Sequence, residues 1–465
     1  MLEALAALAM GHAQLGWRAG TPEPVLDGDP AWIGLYWKAW ENLYAATIEE
    51  TEPGPWPARV FAEEGTISFD RALAISLYAR WGWRAHPVRE TLNFVLMRID
   101  EQGFAPAAFS HDAQTGEATG PPLAALSSLR LASITANEAD LLIQTGAVQR
   151  RNAYIAGRYT FTTVPASKDE KPKIGYRVPP EWSIAPTATD PPGPINAEAV
   201  ALLLQDTHAA ASLYRAGGHR RAAETLDRVS KDLAAHLRGL WRKDERRFSA
   251  RDESGNMEPD SLAILWGLIG GAMPKEMAND ALQGLLSPSR FYRRTLFPTA
   301  AGRGFVRPLH SYLALRALID NGMHKEAGRA AETMLSVYTA AAGAGKALYD
   351  IYGSETRLPA DGAKPGGLEA GTVAIAGLIE AVIGIDVDAR AERIDWFLRR
   401  RDRHGIKNLR FGENVVTLIA NAREDGGEPV IEVECAEDFR LNVTVGERKF
   451  SKRFASGKHT WKPAT

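Results

Sequence analysis

Two stretches of the chain share one pattern, in which an apolar helix, a glycine turn and a second apolar helix follow one another. Apolar residues recur every three or four positions on both sides of Gly217-Gly218, and again on both sides of Asn321-Gly322. This is the spacing of a buried helix face. A looser third copy turns at Gly82. The copies are too far apart for a tetratricopeptide-type array, whose period is about 34 residues. The pattern therefore favours helix pairs closed into a toroid over an open array.

The segment beyond residue 388 has the two-residue alternation of β-strands. Apolar and polar side chains alternate strictly in Ile431–Cys435 and in 441–445, and 415–420 is predicted to be a buried strand. Cys435 falls on the apolar face, so we expect a core residue there rather than a nucleophile. The sequence thus predicts a mainly α fold, with a helical barrel over residues 1–387 and a small β domain over 388–465. The arginine run 399–401 is predicted to be a solvated linker between them.

Composition excludes several classes of function. Hydrophobic residues make up 45% of the 465 residues and charged residues 24%, which indicates a globular protein. A formal net charge of -2 gives no electrostatic attraction to nucleic acid or to an anionic membrane. Cys435 is the only cysteine, which excludes an internal disulfide and a cysteine-rich metal site. We expect no cofactor and no metal, because the histidines lack zinc-site spacing and no phosphate-binding loop occurs.

The same composition bears on location. No run of about 18 apolar residues occurs, so no segment is predicted to span a membrane. The apolar opening, residues 1–10, carries Glu3 and lacks a basic start, which predicts a helix rather than a secretion signal. A cytoplasmic protein is the expectation.

One carboxylate opens a strongly apolar helix. Ser68 can cap a helix that runs to Gly82, and Asp70 in its first turn complements the helix dipole. An aspartate in this place is either a helix cap or a ligand at the mouth of a cleft. Elsewhere we predict helices over 30–46, 88–100 and 368–384, a helix that begins at Pro121-Pro122, a loop over 105–120, and a proline-rich functional loop over 153–194.

Several short motifs resemble those of the trehalase and family 63 glycosidases, over roughly residues 30–387. Each motif keeps part of the family pattern and changes the rest. The matching stretches are Phe69-Asp70-Arg71 for Trp-Asp-Ser, 101–106 for Gln-x-x-Asp-Gly-Phe-Ile-Pro, Gly120-Pro121-Pro122 for Gln-Pro-Pro, 194–197 for Pro-Val-Asp-Leu-Asn, 305–308 for Tyr-Trp-Arg-Gly-Pro, and 348–352 for Tyr-Glu-x-Tyr.

The resemblance implies an (α/α)6 barrel, a six-hairpin glycosidase fold that hydrolyses α-glucosidic bonds with inversion. It assigns Asp70 to holding the sugar at the bond being cut. Arg307 would bind a sugar hydroxyl or a neighbouring carboxylate. Asp350 stands in the place of the family's general base, one methylene shorter than glutamate. Further substrate contacts are predicted at Phe69, Tyr349 and Glu355. Glu355 is also the alternative candidate for the general base.

The general acid is where the chain departs most from the family. No aspartate occupies the matching place within residues 175–182. Glu181 lies in that stretch beside Trp182, and an aromatic neighbour can raise the pKa of a carboxyl by desolvation. We therefore predict Glu181 as the acid and Trp182 as a substrate contact, with Asp169 and Asp190 as the other acids in reach.

The expected function follows from these assignments. Inverting hydrolysis needs two carboxyl groups about 6.5–9.5 Å apart, one protonated and one that activates water. We expect a glycosidase of trehalase or α-glucosidase type that acts on a small α-glucoside, either a disaccharide or a glucosyl conjugate. Two alternatives remain: a non-catalytic carbohydrate-binding protein on a degenerate hydrolase scaffold, which the missing acid motif favours, and a sugar isomerase or epimerase on a helical toroid.

Overall fold

The computed structural model describes residues 16–50, 56–118, 120–162, 174–176, 197–249, 260–301, 305–345, 347–424 and 427–463. Helices dominate up to residue 383, and strands dominate from residue 385 onward. The prediction of a mainly α fold with a β region at the C-terminal end is therefore confirmed. Among the described residues, no helix combines the length and the apolarity that a membrane crossing requires.

The helices occur in pairs, as the glycine turns predict. Gly218 and Gly322 both adopt positive φ in the turns between paired helices, a conformation that glycine takes at little cost. The α-helices are α1 (Pro30–Ala45), α2 (Phe69–Ala79), α3 (Val88–Leu96), α4 (Ala124–Thr135), α5 (Glu138–Tyr159), α6 (Ala197–Ala216), α7 (Arg220–Gly239), α8 (Lys275–Leu285), α9 (Pro308–Asp320) and α10 (His324–Gly345). Short 3-10 segments cover Arg80–Gly82, Leu262–Gly271, Leu368–Ala370 and Ala389–Ala391, and a π-helix covers Thr372–Ile383.

Within the described residues, six segments pack side by side in a closed ring. In order around the ring they are α2, α4, α6, Leu262–Gly271, α9 and the π-helix, which packs back against α2. The other helices lie outside this ring, for example α7 against α6 and α10 against the π-helix. Burial explains the division. Nearly every residue of α6 is buried, whereas α7 buries only one stripe, so α6 must be surrounded and α7 can face water.

The ring segments all point the same way. The first turns of α2, α4 and α9 lie at one end with Leu368–Ala370, which we call the N-terminal mouth. Their last turns meet at the other end, where Arg80, Arg130 and Arg316 converge on Glu380. Because consecutive ring segments are separated by an outer helix that runs back, the parallel arrangement follows from the helix-pair sequence pattern.

The C-terminal region holds two sheets. The predicted strands are confirmed, since 415–420, Ile431–Cys435 and 441–445 all lie in observed strands. Cys435 is buried, and its thiol donates to the Ala455 carbonyl at 3.2 Å. One sheet has the order Glu23–Leu26, His404–Phe411, Asn414–Ala420, Ile431–Cys435 and Gly457–Trp461. The other has the order Ile385–Asp388, Arg393–Phe397, Phe439–Val445 and Arg448–Phe454.

The division at residues 387 and 388 stays a prediction. Strand Glu23–Leu26 comes from the start of the chain, yet it pairs with His404–Phe411. The strand Ile385–Asp388 directly follows the π-helix, from which it is separated only by Gly384. The helical region and the sheets are therefore connected twice, once through the strand Glu23–Leu26 and once through the strand Ile385–Asp388.

Small two- and three-stranded sheets decorate the helical region. One of them corrects the predicted loop 105–120, because Ala108–Phe109 and Gln114–Thr115 form a hairpin that pairs with Ile67–Ser68. Its short strands carry too few residues for alternation to be visible in the sequence. The other small sheets pair Thr47–Glu49 with Arg59–Phe61, Thr160–Thr162 with Ile174–Tyr176, Trp241–Arg242 with Arg247–Phe248, and Phe305–Val306 with Tyr352–Gly353.

Three predicted boundaries are wrong. Pro121-Pro122 precedes α4, which begins at Ala124. Helix α3 ends at Leu96 rather than at residue 100. Helix α5 continues to Tyr159, so residues 153–159 are helical, while most of the predicted loop 153–194 lies outside the described residues. The predicted boundary was too early because it was set by the change in composition, with prolines from residue 165 and aromatics from Tyr154 onward. Composition does not locate the exact end of a helix.

The arginine run 399–401 is not a solvated linker. The Arg400 side chain is only 10% exposed and donates to Asp29 at 2.5 Å and to Asp402 at 2.8 Å. Arg399 pairs with Glu332 on α10. These contacts tie the ring to the sheets, and they could not be predicted because Asp29 and Glu332 are distant in sequence.

The predicted cap of α2 offers a first test. Ser68 Oγ accepts a hydrogen bond from the Arg71 amide at 3.4 Å. Replacing Ser68 with alanine should lower the free energy of unfolding by about 1 kcal/mol, because an amide in the first turn loses its acceptor. Urea unfolding measures this change. Ser336 on α10 is the control, since its hydroxyl bonds back to Glu332 within the helix and its replacement by alanine should cost nothing. Equal costs at the two sites would rule out the cap.

Candidate active site

Asp70 lies at the N-terminal mouth, in the first turn of α2. Its Oδ2 accepts a hydrogen bond from the Gly120 amide at 2.9 Å. A Cβ on Gly120 would collide with this carboxylate, so glycine is required for the two to approach. Burial raises the pKa of Asp70, and the Gly120 amide and the nearby Arg151 partly offset that rise. The backbone amide of Gly120 therefore orients the Asp70 carboxylate, which is consistent with either a structural or a ligand-binding role.

The space that Asp70 faces is small. It shares a pocket with Phe69, Arg151 and Asp206, closed by residues 120–124. The pocket leaves about 10 Å³ for the centre of a water molecule, which is room for about one water. Phe69 is 2% exposed. A sugar ring does not fit here in this arrangement, so the predicted roles of Asp70 and Phe69 as sugar contacts stay predictions.

Asp206 is a second carboxylate of this pocket, and the sequence motifs did not indicate it. It lies on α6, is 3% exposed and accepts from the Ala125 amide at 3.4 Å. Burial raises the pKa of Asp206 to about 7, despite that hydrogen bond and the charge of Arg151. Asp206 therefore exchanges its proton near neutral pH while it is enclosed by protein.

Arg307 and Asp350 are brought together by a short strand pair. Phe305–Val306 pairs with Tyr352–Gly353, so Arg307, at the start of α9, lies beside the segment that carries Asp350. Both side chains are partly exposed. Asp350 Oδ1 accepts a hydrogen bond from the Lys364 amide at 3.2 Å. These two predicted residues do share one place at the mouth.

A further carboxylate, Glu369, lies next to them. The Gly366 amide donates to the Leu348 carbonyl at 2.8 Å, so residues 364–367 run alongside 348–350. A Cβ on Gly367 would lie 2.6 Å from the Asp350 amide nitrogen. Glu369 follows two residues later, in the 3-10 turn that opens the last ring segment. The tight backbone approach at Gly367 thus places Glu369 close to Asp350.

The surroundings of Glu369 mix both signs of charge. Burial raises its pKa, the charges of Arg307 and Arg71 oppose that rise, and Asp350 adds to it. Within the described residues, its side chain has no hydrogen bond or ion pair. Gly371 lets the ring of Tyr78 approach, since a Cβ there would lie 2.5 Å from that ring. The sequence signal that could have found Glu369 is its position between Gly366-Gly367 and Gly371, because glycines crowded around one acid mark close backbone packing.

The remaining predicted residues are less central. Tyr349 is partly exposed and meets Tyr352 edge-on, with 6.3 Å between ring centroids. Glu355 is 51% exposed and pairs with Arg293 at 2.6 Å. Glu181, Trp182, Asp169 and Asp190 lie outside the described residues. The structure therefore brings together Arg307, Tyr349 and Asp350, and adds Glu369 to them.

A second charged cluster lies at the opposite end of the ring. Glu380 is completely buried, and both of its oxygens are used. Its donors are Arg80 at 2.6 Å, Arg316 at 2.9 Å, Tyr312 at 3.0 Å, Trp81 at 3.1 Å and Arg130 at 3.4 Å. Asp386 joins through Arg130 and Arg316, and although burial raises its pKa, the arginines outweigh that effect and lower it. Each charged side chain of this cluster has at least one neighbour of opposite charge, so we interpret the cluster as structural.

In the part of the chain that the structure describes, we find neither a histidine-based catalytic centre nor a metal site. His310 packs edge-on against Trp266 at 5.2 Å, and burial lowers its pKa to about 3. It is therefore neutral at physiological pH. No group of three acidic, histidine or cysteine side chains is arranged there to hold a metal ion.

Comparisons with known proteins identify similar folds. No protein-family model matches the chain, and no curated protein sequence matches it significantly. An α-L-rhamnosidase from Aspergillus terreus superposes with a TM-score of 0.63 at 12% identity, covering 95% of this chain and 50% of that one. A GH78 rhamnosidase from a Bacillus species gives a TM-score of 0.64 at 14% identity, covering 91% and 43%. The chain thus spans about half the length of these rhamnosidases, or less.

A third structural match covers the compared protein almost completely. The GH63 mannosylglycerate hydrolase from Thermus thermophilus, determined in complex with glucose, superposes with a TM-score of 0.53 at 13% identity. The match covers 74% of this chain and 99% of that one. At such identities the likeness concerns the fold, which this chain has in common with glycosidases.

Proposed function

We propose that the protein is a glycoside hydrolase and that its closed ring is an (α/α)6 barrel with the active site at the N-terminal mouth. The observation that carries the proposal is the grouping of Asp350, Glu369 and Arg307 there. Fold alone does not define a reaction. The grouping supports the proposal, because the reaction uses two carboxyl groups that lie near each other.

The proposed reaction is inverting hydrolysis of a small α-glucoside, such as a disaccharide or a glucosyl conjugate. Asp350 acts as the general base, which removes a proton from the water that attacks the anomeric carbon. Arg307 binds a sugar hydroxyl or a neighbouring carboxylate. Glu181 remains the acid predicted from sequence. The substrate is then a small carbohydrate, with neither nucleic acid nor membrane as a partner and no cofactor.

The test is to incubate the protein with a panel of α-glucosides that includes trehalose and simple alkyl α-glucosides. NMR spectra taken within minutes report which anomer is released, and we expect the β-anomer. Replacing Asp350 with asparagine should lower kcat by about 10²–10⁴-fold, because the general base is lost. Asp361, an exposed residue of the same segment, is the matched control, and its replacement by asparagine should leave kcat unchanged.

The outcomes separate the alternatives. Release of the α-anomer would contradict inversion, and unchanged kcat in the Asp350→Asn variant would remove Asp350 from the mechanism. A ligand that raises the melting temperature without any release of sugar would indicate a carbohydrate-binding protein. A sugar converted to an isomer of equal mass would indicate an isomerase or epimerase.

A further inference from the structure

We propose that Glu369 is the general acid that faces Asp350 across the scissile bond. This inference rests on the proposed glycoside hydrolysis and assigns a residue that the sequence motifs do not indicate. It replaces Glu181 in that role.

Placement is the first argument. The segment 364–367 is held against 348–350 by the Lys364 and Gly366 amides, and Gly367 allows the two backbones to touch. Backbone contacts between the two segments therefore fix the position of the Glu369 backbone near Asp350. Its 3-10 turn also packs against α2 and α9, so Glu369 lies at the mouth between two ring helices.

Elimination is the second argument. Among the described carboxylates of the mouth, Asp70 and Asp206 face a pocket that holds about one water. Glu63 is paired with Arg71. Glu369 is partly exposed, and within the described residues its carboxyl has no hydrogen-bond partner. Of Asp70, Asp206, Glu63 and Glu369, only Glu369 has a carboxyl that is unpaired among the described residues and partly open to a ligand.

The electrostatic surroundings favour the protonated form of Glu369 more than water would. Burial raises the pKa of Glu369, and the negative charge of Asp350 raises it further. Arg307 from α9 and Arg71 from α2 act in the opposite direction, although neither forms an ion pair with Glu369. Tyr78, also from α2, is fully buried, and its own pKa is raised by burial and by Glu369. A general acid needs this kind of partly desolvated site.

The chemistry balances with one water. Glu369 gives its proton to the glycosidic oxygen while the bond between that oxygen and the anomeric carbon breaks. Water attacks the anomeric carbon from the opposite side and loses a proton to Asp350. The products are the free sugar of inverted configuration and the alcohol, and the two carboxyls return to their starting states through solvent.

The test compares Glu369→Gln and Glu181→Gln on two substrates with the sugar that the wild-type protein prefers. One is its alkyl glycoside, whose leaving group must be protonated, and the other is its glycosyl fluoride, whose leaving group need not be. Glu369→Gln should lower kcat/KM for the alkyl glycoside by about 10²–10⁴-fold and leave the fluoride within a few-fold of wild type. It should also abolish the loss of activity at high pH. Circular dichroism and the melting temperature check that the variant is folded.

The other outcomes are decisive too. Equal losses on both substrates, or no loss on either, would overturn the assignment of Glu369 alone. The same split in Glu181→Gln, but not in Glu369→Gln, would return the role to Glu181. A wild-type protein that cleaves neither substrate would overturn the proposed hydrolysis itself, and the role of Glu369 with it.

Discussion

Replacing Glu380 with glutamine is expected to lower the free energy of unfolding by about 3–5 kcal/mol, which is the usual cost of removing one partner from a buried ion pair. Glu380 is 0% exposed in its side chain and lies among Arg80, Arg130 and Arg316. Asp386 and Asp320 supply the other negative charges, through Arg316 and Arg130. Glutamine keeps the shape but leaves the three arginines with two carboxylates, so one positive charge becomes uncompensated.

The measurement is urea unfolding followed by tryptophan fluorescence. The matched control is Glu413→Gln, because Glu413 also pairs with an arginine, Arg84 at 2.8 Å, but is 86% exposed. An exposed pair contributes about 0–1 kcal/mol. A cost at Glu380 no larger than that at Glu413 would contradict the burial of the Glu380 ion pairs at this end of the ring.

The second large effect concerns Asp206 and pH. Its folded-state pKa of about 7 lies above the unfolded value of about 3.9. The folded protein therefore binds a proton that the unfolded chain has released. The stability that this proton contributes is complete below about pH 4 and is lost as pH rises to about 7. At about 1.4 kcal/mol for each pKa unit, the whole change is about 4 kcal/mol.

The variant Asp206→Asn should remove that dependence, because asparagine stays neutral. Relative to wild type, its free energy of unfolding should rise between pH 5 and pH 8, with the variant more stable at the upper end. Unfolding in urea at several pH values provides the comparison. Asp227, a partly exposed partner of Arg215 on the neighbouring helix, is the control, and Asp227→Asn should show the wild-type dependence. Parallel pH curves for wild type and Asp206→Asn would exclude titration of Asp206.

Local patterns predicted the elements well. The helix pairs follow from three- and four-residue spacing, the cap of α2 follows from Ser68, and the C-terminal strands follow from strict alternation. These features depend on residues near each other in sequence, so the information is local. Short strands such as Ala108–Phe109 were not predicted, because two residues are too few to show an alternating pattern.

The candidate site was only half predictable. Motifs indicated Asp350 and Arg307, because each resembles a known short pattern, and the structure places the two at the same end of the ring. Glu369 has no such pattern, and its importance depends on the pairing of 364–367 with 348–350. Asp70 illustrates the converse. Its motif predicted a sugar contact, while the structure turns it toward Gly120 and a pocket of water size.

By itself, the sequence determined two helix pairs with their glycine turns, three of the C-terminal strands and the presence of a carboxylate at the start of α2. Tertiary structure decided which charges are buried and which meet. Arg80 and Glu380 are 300 residues apart in sequence, and their contact exists because the ring closes. The pKa of a carboxyl depends on its distance from other charges and on its access to water. Both are properties of the packed ring, so the burial and the charged neighbours of Asp206, Glu369 and Glu380 became visible only there.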